Sequence, residues 1–98
     1  MAAKDIVEKA ITDNKIVVFS KSYCPYCNKA KKLLDSLSAK YTAFELDQRE
    51  DGSAIQQYLR EKTGQNTVPN IFVKEQHVGG CDDLHAANSS GKLQKLLQ

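Results

Sequence analysis

The sequence is defined first by what it lacks. It contains no tryptophan, only two prolines and a single methionine, Met1, among 98 residues. It also lacks a long apolar run, since the longest, Ile16-Val17-Val18-Phe19, is far too short to span a membrane. The residues that follow Met1 are mixed acidic and basic, without the apolar region of a signal peptide. We therefore expect a cytoplasmic protein with no membrane partner, unless a leader has been removed.

The chain also lacks a large excess of charge of either sign. The net charge is +2, which is too small to indicate nucleic acid as a partner. The one local cluster of lysines comprises Lys29, Lys31 and Lys32, which we interpret as a solvated helix face. The length and the 41% hydrophobic fraction are typical of one globular domain, so we expect residues 1–98 to form a single domain.

Cysteines are few but their spacing is informative. Cys24-Pro25-Tyr26-Cys27 follows the apolar run and precedes a helical pattern, so two thiols are predicted where a strand ends and a helix begins. The free N–H groups and partial positive charge of a helix start favour thiolate over thiol. Pro25 fits the first helical turn, where its missing N–H has no cost. The pattern therefore favours a thiol–disulfide oxidoreductase.

Two other interpretations of the pair remain open. Zinc sites use the same C-x-x-C spacing, and a donor set of Cys24, Cys27, Cys81 and either His77 or His85 is conceivable. Alternatively, the two cysteines are buried and inert. Pro25 weakens both alternatives because it indicates a rigid strand–helix junction.

Hydrophobic periodicity predicts alternating helices and strands along the chain. The predicted elements are a helix over 4–13, a strand over 16–20, a helix over 25–38, a strand over 41–46, a helix opening at Asp51-Gly52-Ser53 and stopping at Gly64, a strand over Asn70 to Val73, a short strand near 77–79, and a helix over 82–97 broken near 88–91. The first two strands, joined through a helix, should be parallel with a right-handed crossover. The last two strands should be antiparallel because their turn is short. This order predicts an α/β domain with a mixed four-stranded sheet.

Three separated motifs then resemble those of one family. Cys24-Pro25-Tyr26-Cys27, Thr67-Val68-Pro69 and Gly79-Gly80-Cys81-Asp82 occur in the order found in dithiol glutaredoxins. The resemblance covers nearly the whole chain and implies a thioredoxin-like α/β fold, with about five helices around the sheet. Tyr23 stands where ordinary thioredoxins have tryptophan.

The resemblance implies an activity and its partners. A glutaredoxin reduces protein disulfides and protein–glutathione mixed disulfides, with glutathione as the reductant and an NADPH-linked glutathione reductase regenerating it. Cys24, at the mouth of the helix, is expected to be the nucleophile. Cys27, one turn inside, is expected to resolve mixed disulfides. No metal is expected, and a monomer is the expected state.

The resemblance also implies a glutathione site. The Val68–Pro69 bond is expected to be cis, which leaves the Val68 backbone free to pair with the cysteinyl part of the tripeptide. Cys81 is expected to contribute backbone groups only, with oxidation or glutathionylation of its thiol as the alternative. The implied contacts are Lys21 and Gln56 at the glycine carboxylate, Val68 at the cysteinyl backbone, Cys81 and Asp82 at the γ-glutamyl end, and Tyr26, Thr67, Pro69 and Gly80 along the groove.

Two rival functions remain open: a binding module that carries a metal cluster, and a redox protein that does not use glutathione. Relatives with related sites share a [2Fe-2S] cluster between two subunits through the first cysteine and bound glutathione, which the stiff Pro25 disfavours here. A thioredoxin-type reductant would take electrons directly from a flavin reductase. His77 and His85 are assigned no role in any of these functions.

Overall fold

A mixed four-stranded sheet forms the centre of the computed structural model, which describes residues 2–98. The strands are β1 (Ile16–Ser20), β2 (Thr42–Glu45), β3 (Asn70–Val73) and β4 (Gln76–Gly79). Their order across the sheet is β2-β1-β3-β4. β1 is parallel to β2 and antiparallel to β3, and β3 and β4 form an antiparallel hairpin. The predicted fold class is confirmed.

In the described part of the chain, five α-helices and one short 3-10 helix surround the sheet. They are α1 (Ala3–Asp13), α2 (Pro25–Ser36), α3 (Gly52–Thr63), α4 (Cys81–Ser90) and α5 (Lys92–Leu97), and the 3-10 helix is Leu46–Gln48. Gly64 and Gly91 end α3 and α4 in the left-handed conformation, at φ 80° and 84°, which glycine adopts without a steric cost. Within residues 2–98, no helix has both the length and the apolar character needed to cross a membrane.

Several predicted boundaries differ from those observed. α2 ends at Ser36 rather than at residue 38, because the chain turns at Ser38 with φ 54°. β2 is shorter than predicted because the 3-10 helix begins at Leu46. α4 begins at Cys81, one residue early. The hairpin turn consists of Lys74 and Glu75, both with positive φ, so Gln76 belongs to β4.

The two faces of the sheet bury separate cores. Side chains alternate along β1, so Ile16 and Val18 pack with α2, α4 and α5, whereas Val17 and Phe19 pack with α1 and α3. All five residues of β1 are buried. A strand buried on both faces is a rigid support for the loop that follows it, which leads to Cys24.

The interpretation of the lysine cluster as solvated is wrong for Lys31. Its ammonium group lies 2.6 Å from a carboxylate oxygen of Glu45, with the two side chains only 17% and 24% exposed. The pair joins α2 to β2. Lys29 and Lys32 are exposed as expected. The sequence did not indicate that Glu45 is the partner of Lys31, because the two residues come together only through the crossover from α2 to β2.

Candidate active site

The two thiols lie at the junction between β1 and α2. Cys24 is the N-cap residue of α2, and Pro25 opens the helix. The Cys24 sulfur accepts a hydrogen bond from the Cys27 backbone N–H at 3.4 Å. Both cysteines are free thiols, with Cys24 partly exposed and Cys27 fully buried. A substrate can therefore reach Cys24, whereas Cys27 faces the interior behind it.

Burial governs the chemistry of the second thiol. Desolvation raises the pKa of Cys27, and the neighbouring Lys21 backbone and Ser20 side chain act in the opposite direction. Because its pKa is raised, the Cys27 thiol is protonated at neutral pH and must lose its proton before it can react. This arrangement suits the resolving role predicted for Cys27, which stays a prediction.

The loop before Cys24 is held by a carboxylate that the sequence analysis missed. The Ser22 backbone N–H donates to Asp47 Oδ1 at 2.9 Å, and the Ser22 hydroxyl donates to the other carboxylate oxygen. These bonds hold the pKa of Asp47 below its ordinary value, the hydroxyl having the larger effect. Asp47 lies in the 3-10 helix that follows β2, and the carboxyl ends of parallel strands meet at one edge of a sheet. That topology places the two residues at the same edge of the sheet, but it does not indicate that they are hydrogen-bonded.

The Thr67-Val68-Pro69 loop lies against the thiols, as the resemblance implied. The Val68–Pro69 peptide bond is cis. The Cys24 thiol points at the Val68 carbonyl oxygen, with sulfur and oxygen 3.8 Å apart. Pro69 is buried while Val68 remains partly exposed, so backbone groups of Val68 stand at the edge of the site.

A groove of about 330 Å³ runs beside this loop. It brings together every predicted glutathione contact except Lys21 and Gln56. Its lining residues are Tyr26, Thr67, Val68, Pro69, Gly80, Cys81, Asp82 and Asp83. Tyr26 is 62% exposed and forms one wall.

Lys21 and Gln56 lie outside the lining of the groove. Lys21 is partly buried in the loop after β1, on the Cys24 side. Gln56 is not simply a solvent-facing helix residue, because its side-chain amide donates to the Asn66 carbonyl oxygen at 2.7 Å. Its contact with glutathione stays a prediction, as do the other implied contacts.

The glycine pair sets the far wall of the groove. Gly79 has φ 121°, and a Cβ built there would lie 2.3 Å from a carboxylate oxygen of Asp83. That oxygen accepts the Gly80 N–H at 3.0 Å and caps α4, so Asp83 has a structural explanation. The Cys81 side chain is buried, and desolvation raises its pKa. Asp82 is exposed at the groove.

A second missed residue, Gln65, lies behind the loop. Its side-chain amide donates to the carbonyl oxygens of Thr67 at 3.0 Å and of Pro69 at 2.8 Å. A glutamine after a helix-ending glycine has no specific signature in sequence. Only the path of the loop reveals its role.

The zinc donor set proposed as an alternative is not assembled. Over residues 2–98, no three His, Cys, Asp or Glu side chains converge as metal ligands. His77 instead shares a hydrogen bond with the Asn70 side chain at 2.9 Å and packs against the Phe72 ring. His85 is half-buried on α4.

The fold and the thiol pair define a thiol–disulfide oxidoreductase of the thioredoxin-like class, and comparison with known proteins narrows that class. The family model described as Glutaredoxin matches residues 16–78. Glutaredoxin-1 of Rhizophagus irregularis is 58% identical over 94 residues, covering 96% of this chain and 93% of the relative. Glutaredoxin-2 of Schizosaccharomyces pombe is 55% identical over 95 residues, covering 97% and 86%.

Solved structures agree with the sequence relatives. The crystal structure of a buckwheat glutaredoxin–glutathione complex superposes with a TM-score of 0.95 at 47% identity, covering 97% of this chain and 86% of that one. A wheat glutaredoxin gives a TM-score of 0.92 at 49% identity, covering 96% and 87%. The chain belongs to the glutaredoxin family, whose members are glutathione-dependent oxidoreductases.

Proposed function

We propose that this chain reduces protein–glutathione mixed disulfides and protein disulfides, using Cys24 as the nucleophile and glutathione as the electron donor. The arrangement of Cys24 carries the proposal. Its sulfur is at the N-cap of α2, accepts the Cys27 N–H, and lies beside a groove that could hold a tripeptide. An N–H donor and the positive end of the helix both stabilise an anionic sulfur more than a neutral one.

The first reaction needs one thiol of the protein. The Cys24 thiolate attacks the glutathione sulfur of a mixed disulfide, and the substrate protein leaves as a thiolate that takes up a proton. Cys24 is then disulfide-bonded to glutathione. A second glutathione thiolate attacks the glutathione sulfur of this intermediate, which releases the Cys24 thiolate and forms glutathione disulfide. An NADPH-linked glutathione reductase would return that disulfide to glutathione.

Protein disulfides require the second thiol. Cys24 attacks one sulfur of the substrate disulfide and forms a mixed disulfide with the substrate. Cys27, after losing its proton, attacks the Cys24 sulfur and releases the reduced substrate, leaving a Cys24–Cys27 disulfide. The proximity of the two residues supports this step, since the Cys27 N–H already contacts the Cys24 sulfur. Glutathione reduces the resulting disulfide.

The groove supports glutathione as the partner. Glutathione carries two carboxylates and one ammonium group, so its site needs donors at both ends and an acid for the amine. The first four N–H groups of a helix have no partner within the helix, and in α4 the Asp83 side chain accepts only that of Gly80; the N–H groups that follow in the first turn suit a carboxylate. The exposed Asp82 carboxylate lies beside them and suits the amine. Lys21 and Gln56 are proposed for the other carboxylate.

Substitution of each cysteine tests the roles. Cys24→Ser should abolish turnover of both a hydroxyethyl disulfide–glutathione mixture and a glutathionylated peptide. Cys27→Ser should retain deglutathionylation and lose the reduction of a protein disulfide such as insulin. Cys81→Ser should retain both activities, because only backbone groups of Cys81 are proposed to contact glutathione. Full activity of Cys24→Ser would refute the assignment of the nucleophile.

The electron donor is tested separately. The wild-type protein should turn over with glutathione and glutathione reductase, and much more slowly with a flavin-dependent thioredoxin reductase that supplies electrons directly. Equal or faster turnover with the flavin enzyme alone would favour the thioredoxin-type function instead.

A further inference from the structure

Gln65 makes two hydrogen bonds that join the ends of the Thr67-Val68-Pro69 loop. Its side-chain nitrogen donates to the Thr67 carbonyl at 3.0 Å and to the Pro69 carbonyl at 2.8 Å. A carboxamide nitrogen carries two hydrogens, so both donors are used. The same nitrogen lies 3.9 Å from the position that a Cβ on Gly80 would occupy. Gln65 therefore supports the Thr67-Val68-Pro69 loop and also lies near Gly80.

The position of Gln65 is itself fixed by the end of α3. Gly64 reverses the chain at φ 80°, and the Gln65 backbone N–H then donates to the Thr63 hydroxyl oxygen at 3.1 Å. That hydroxyl donates in turn to the Leu59 carbonyl at 2.7 Å. The side chain is thus attached to a helix end rather than to a free loop, and it is only partly exposed.

The bond to Thr67 determines where the next N–H points. The Thr67–Val68 peptide bond is trans, since the only cis bond within residues 2–98 is Val68–Pro69. In a trans peptide unit the C=O and the following N–H point in opposite directions in one plane. Because the Thr67 carbonyl points at Gln65, the Val68 N–H must point away from Gln65. Val68 lines the groove and Gln65 is not part of that lining, so an N–H that points away from Gln65 is available on the groove side of the loop.

We propose that Gln65 is a positioning residue that sets the affinity of the site for glutathione by orienting the Val68 N–H. The inference rests on the proposed function, in which that N–H binds the cysteinyl backbone of the tripeptide. Gln65 touches neither the tripeptide nor the reacting sulfurs. Its loss should therefore weaken binding of glutathione-containing substrates while leaving the reactivity of the Cys24 sulfur unchanged.

The test uses Gln65→Met, which keeps the length of the side chain and removes both donors, and Gln65→Ala, which also removes its volume. Gln94→Met is the matched control. Gln94 lies on α5, away from the site, and its side-chain amide also donates a hydrogen bond, to the side-chain oxygen of Asn88. The readouts are kcat and KM for a glutathionylated peptide, the rate of Cys24 alkylation by iodoacetamide, and the unfolding midpoint.

Both Gln65 variants should raise KM about 3- to 10-fold, which is the effect of losing one ordinary hydrogen bond to the substrate. The kcat and the alkylation rate should stay within about twofold of wild type, and Gln94→Met should change nothing. Wild-type KM in Gln65→Met would overturn the inference, because it would show that volume alone matters. An equal fall in kcat and alkylation would also overturn it, by showing that Gln65 acts on Cys24. A wild-type protein without glutathione-dependent turnover would overturn the proposed function itself, which separates the two failures.

Discussion

Replacing Gly52 with alanine should destabilise the protein, although helix propensity favours the opposite result. Gly52 is the first residue of α3, and alanine is preferred over glycine within helices by up to about 1 kcal/mol. A Cβ at Gly52, however, would lie 1.8 Å from the Leu46 carbonyl oxygen and 2.8 Å from its carbonyl carbon. The obstacle is backbone, so it has no rotamer by which to move away.

The size of the effect follows from this overlap. Contacts of a Cβ below 3.0 Å essentially never occur, so the 3-10 helix and α3 must separate by more than an ångström. Forced overpacking of this kind costs about 1–3 kcal/mol. An overlap this close with rigid backbone belongs at the upper end of that range, so after the gain in propensity we expect the free energy of unfolding to fall by about 2 kcal/mol. For a domain of this size, that change lowers the midpoint of thermal unfolding by about 8–16 °C.

The displacement should also reach the active site. Leu46 precedes Asp47, which holds Ser22 in the loop before Cys24. Activity per folded molecule should therefore fall as well.

Thermal and urea unfolding followed by circular dichroism measure the stability change, and glutathione-dependent turnover at a temperature well below the midpoint measures activity. Gly91→Ala is the control, because nothing lies within 4 Å of its new Cβ and only the left-handed backbone is penalised. A Gly52→Ala variant as stable as wild type would refute the reasoning.

Two further predictions concern charged contacts. Asp47→Asn should lower kcat/KM for a glutathionylated peptide about threefold, because it weakens the hydrogen bonds that position Ser22. The unfolding midpoint should change by no more than about 2 °C, since the site is exposed. Unchanged kinetics would contradict this role. Glu8→Gln should destabilise the α1–α3 contact by less than about 1 kcal/mol at neutral pH. The Tyr58 hydroxyl donates to Glu8 at 2.5 Å, and the network with Lys62 is partly exposed, so solvent screens its charges. The Tyr58 and Lys62 contacts lower the pKa of Glu8, so this stabilisation is present above the ordinary value of 4.5 and is lost as pH falls through the lowered value. Glu8 raises the pKa of Tyr58 from 10 to about 12, so the same contact is present below pH 10 and is lost as pH rises through about 12. Urea unfolding as a function of pH measures the loss of stability at both acid and alkaline pH. A difference in the free energy of unfolding between wild type and variant that does not vary with pH would count against the Glu8–Tyr58 contact.

The strands and helices could largely be predicted from the sequence because their signals are local. The continuous apolar run of β1 reflects burial on both faces of the sheet, because successive side chains of a strand point to opposite faces. Gly64 and Gly91 ended their helices as expected, since left-handed backbone favours glycine. The 3-10 helix at Leu46 was missed, because three residues carry no periodicity that distinguishes them from the end of a strand.

The candidate site divides in the same way. Cys24 and Cys27 were predicted because four adjacent residues fix the geometry of the N-cap, so the turn is nearly independent of the rest of the fold. The family motifs added the loop at Val68 and the glycine pair. The ion pair of Lys31 with Glu45 was missed, because its two members are brought together only by the crossover between parallel strands.

The sequence by itself determined the reactive pair, the order of the elements and the class of chemistry, because each depends on neighbours within a few residues along the chain. Only the tertiary structure decided which side chains hold the reactive loops in place. Asp47 accepts a hydrogen bond from Ser22, 25 positions earlier in the sequence. Gln65 donates hydrogen bonds to the Thr67-Val68-Pro69 loop, which lies against the Cys24 turn. A hydrogen bond acts over about 3 Å, so its existence depends on the placement of whole strands and helices to within an ångström, and no local pattern encodes that placement.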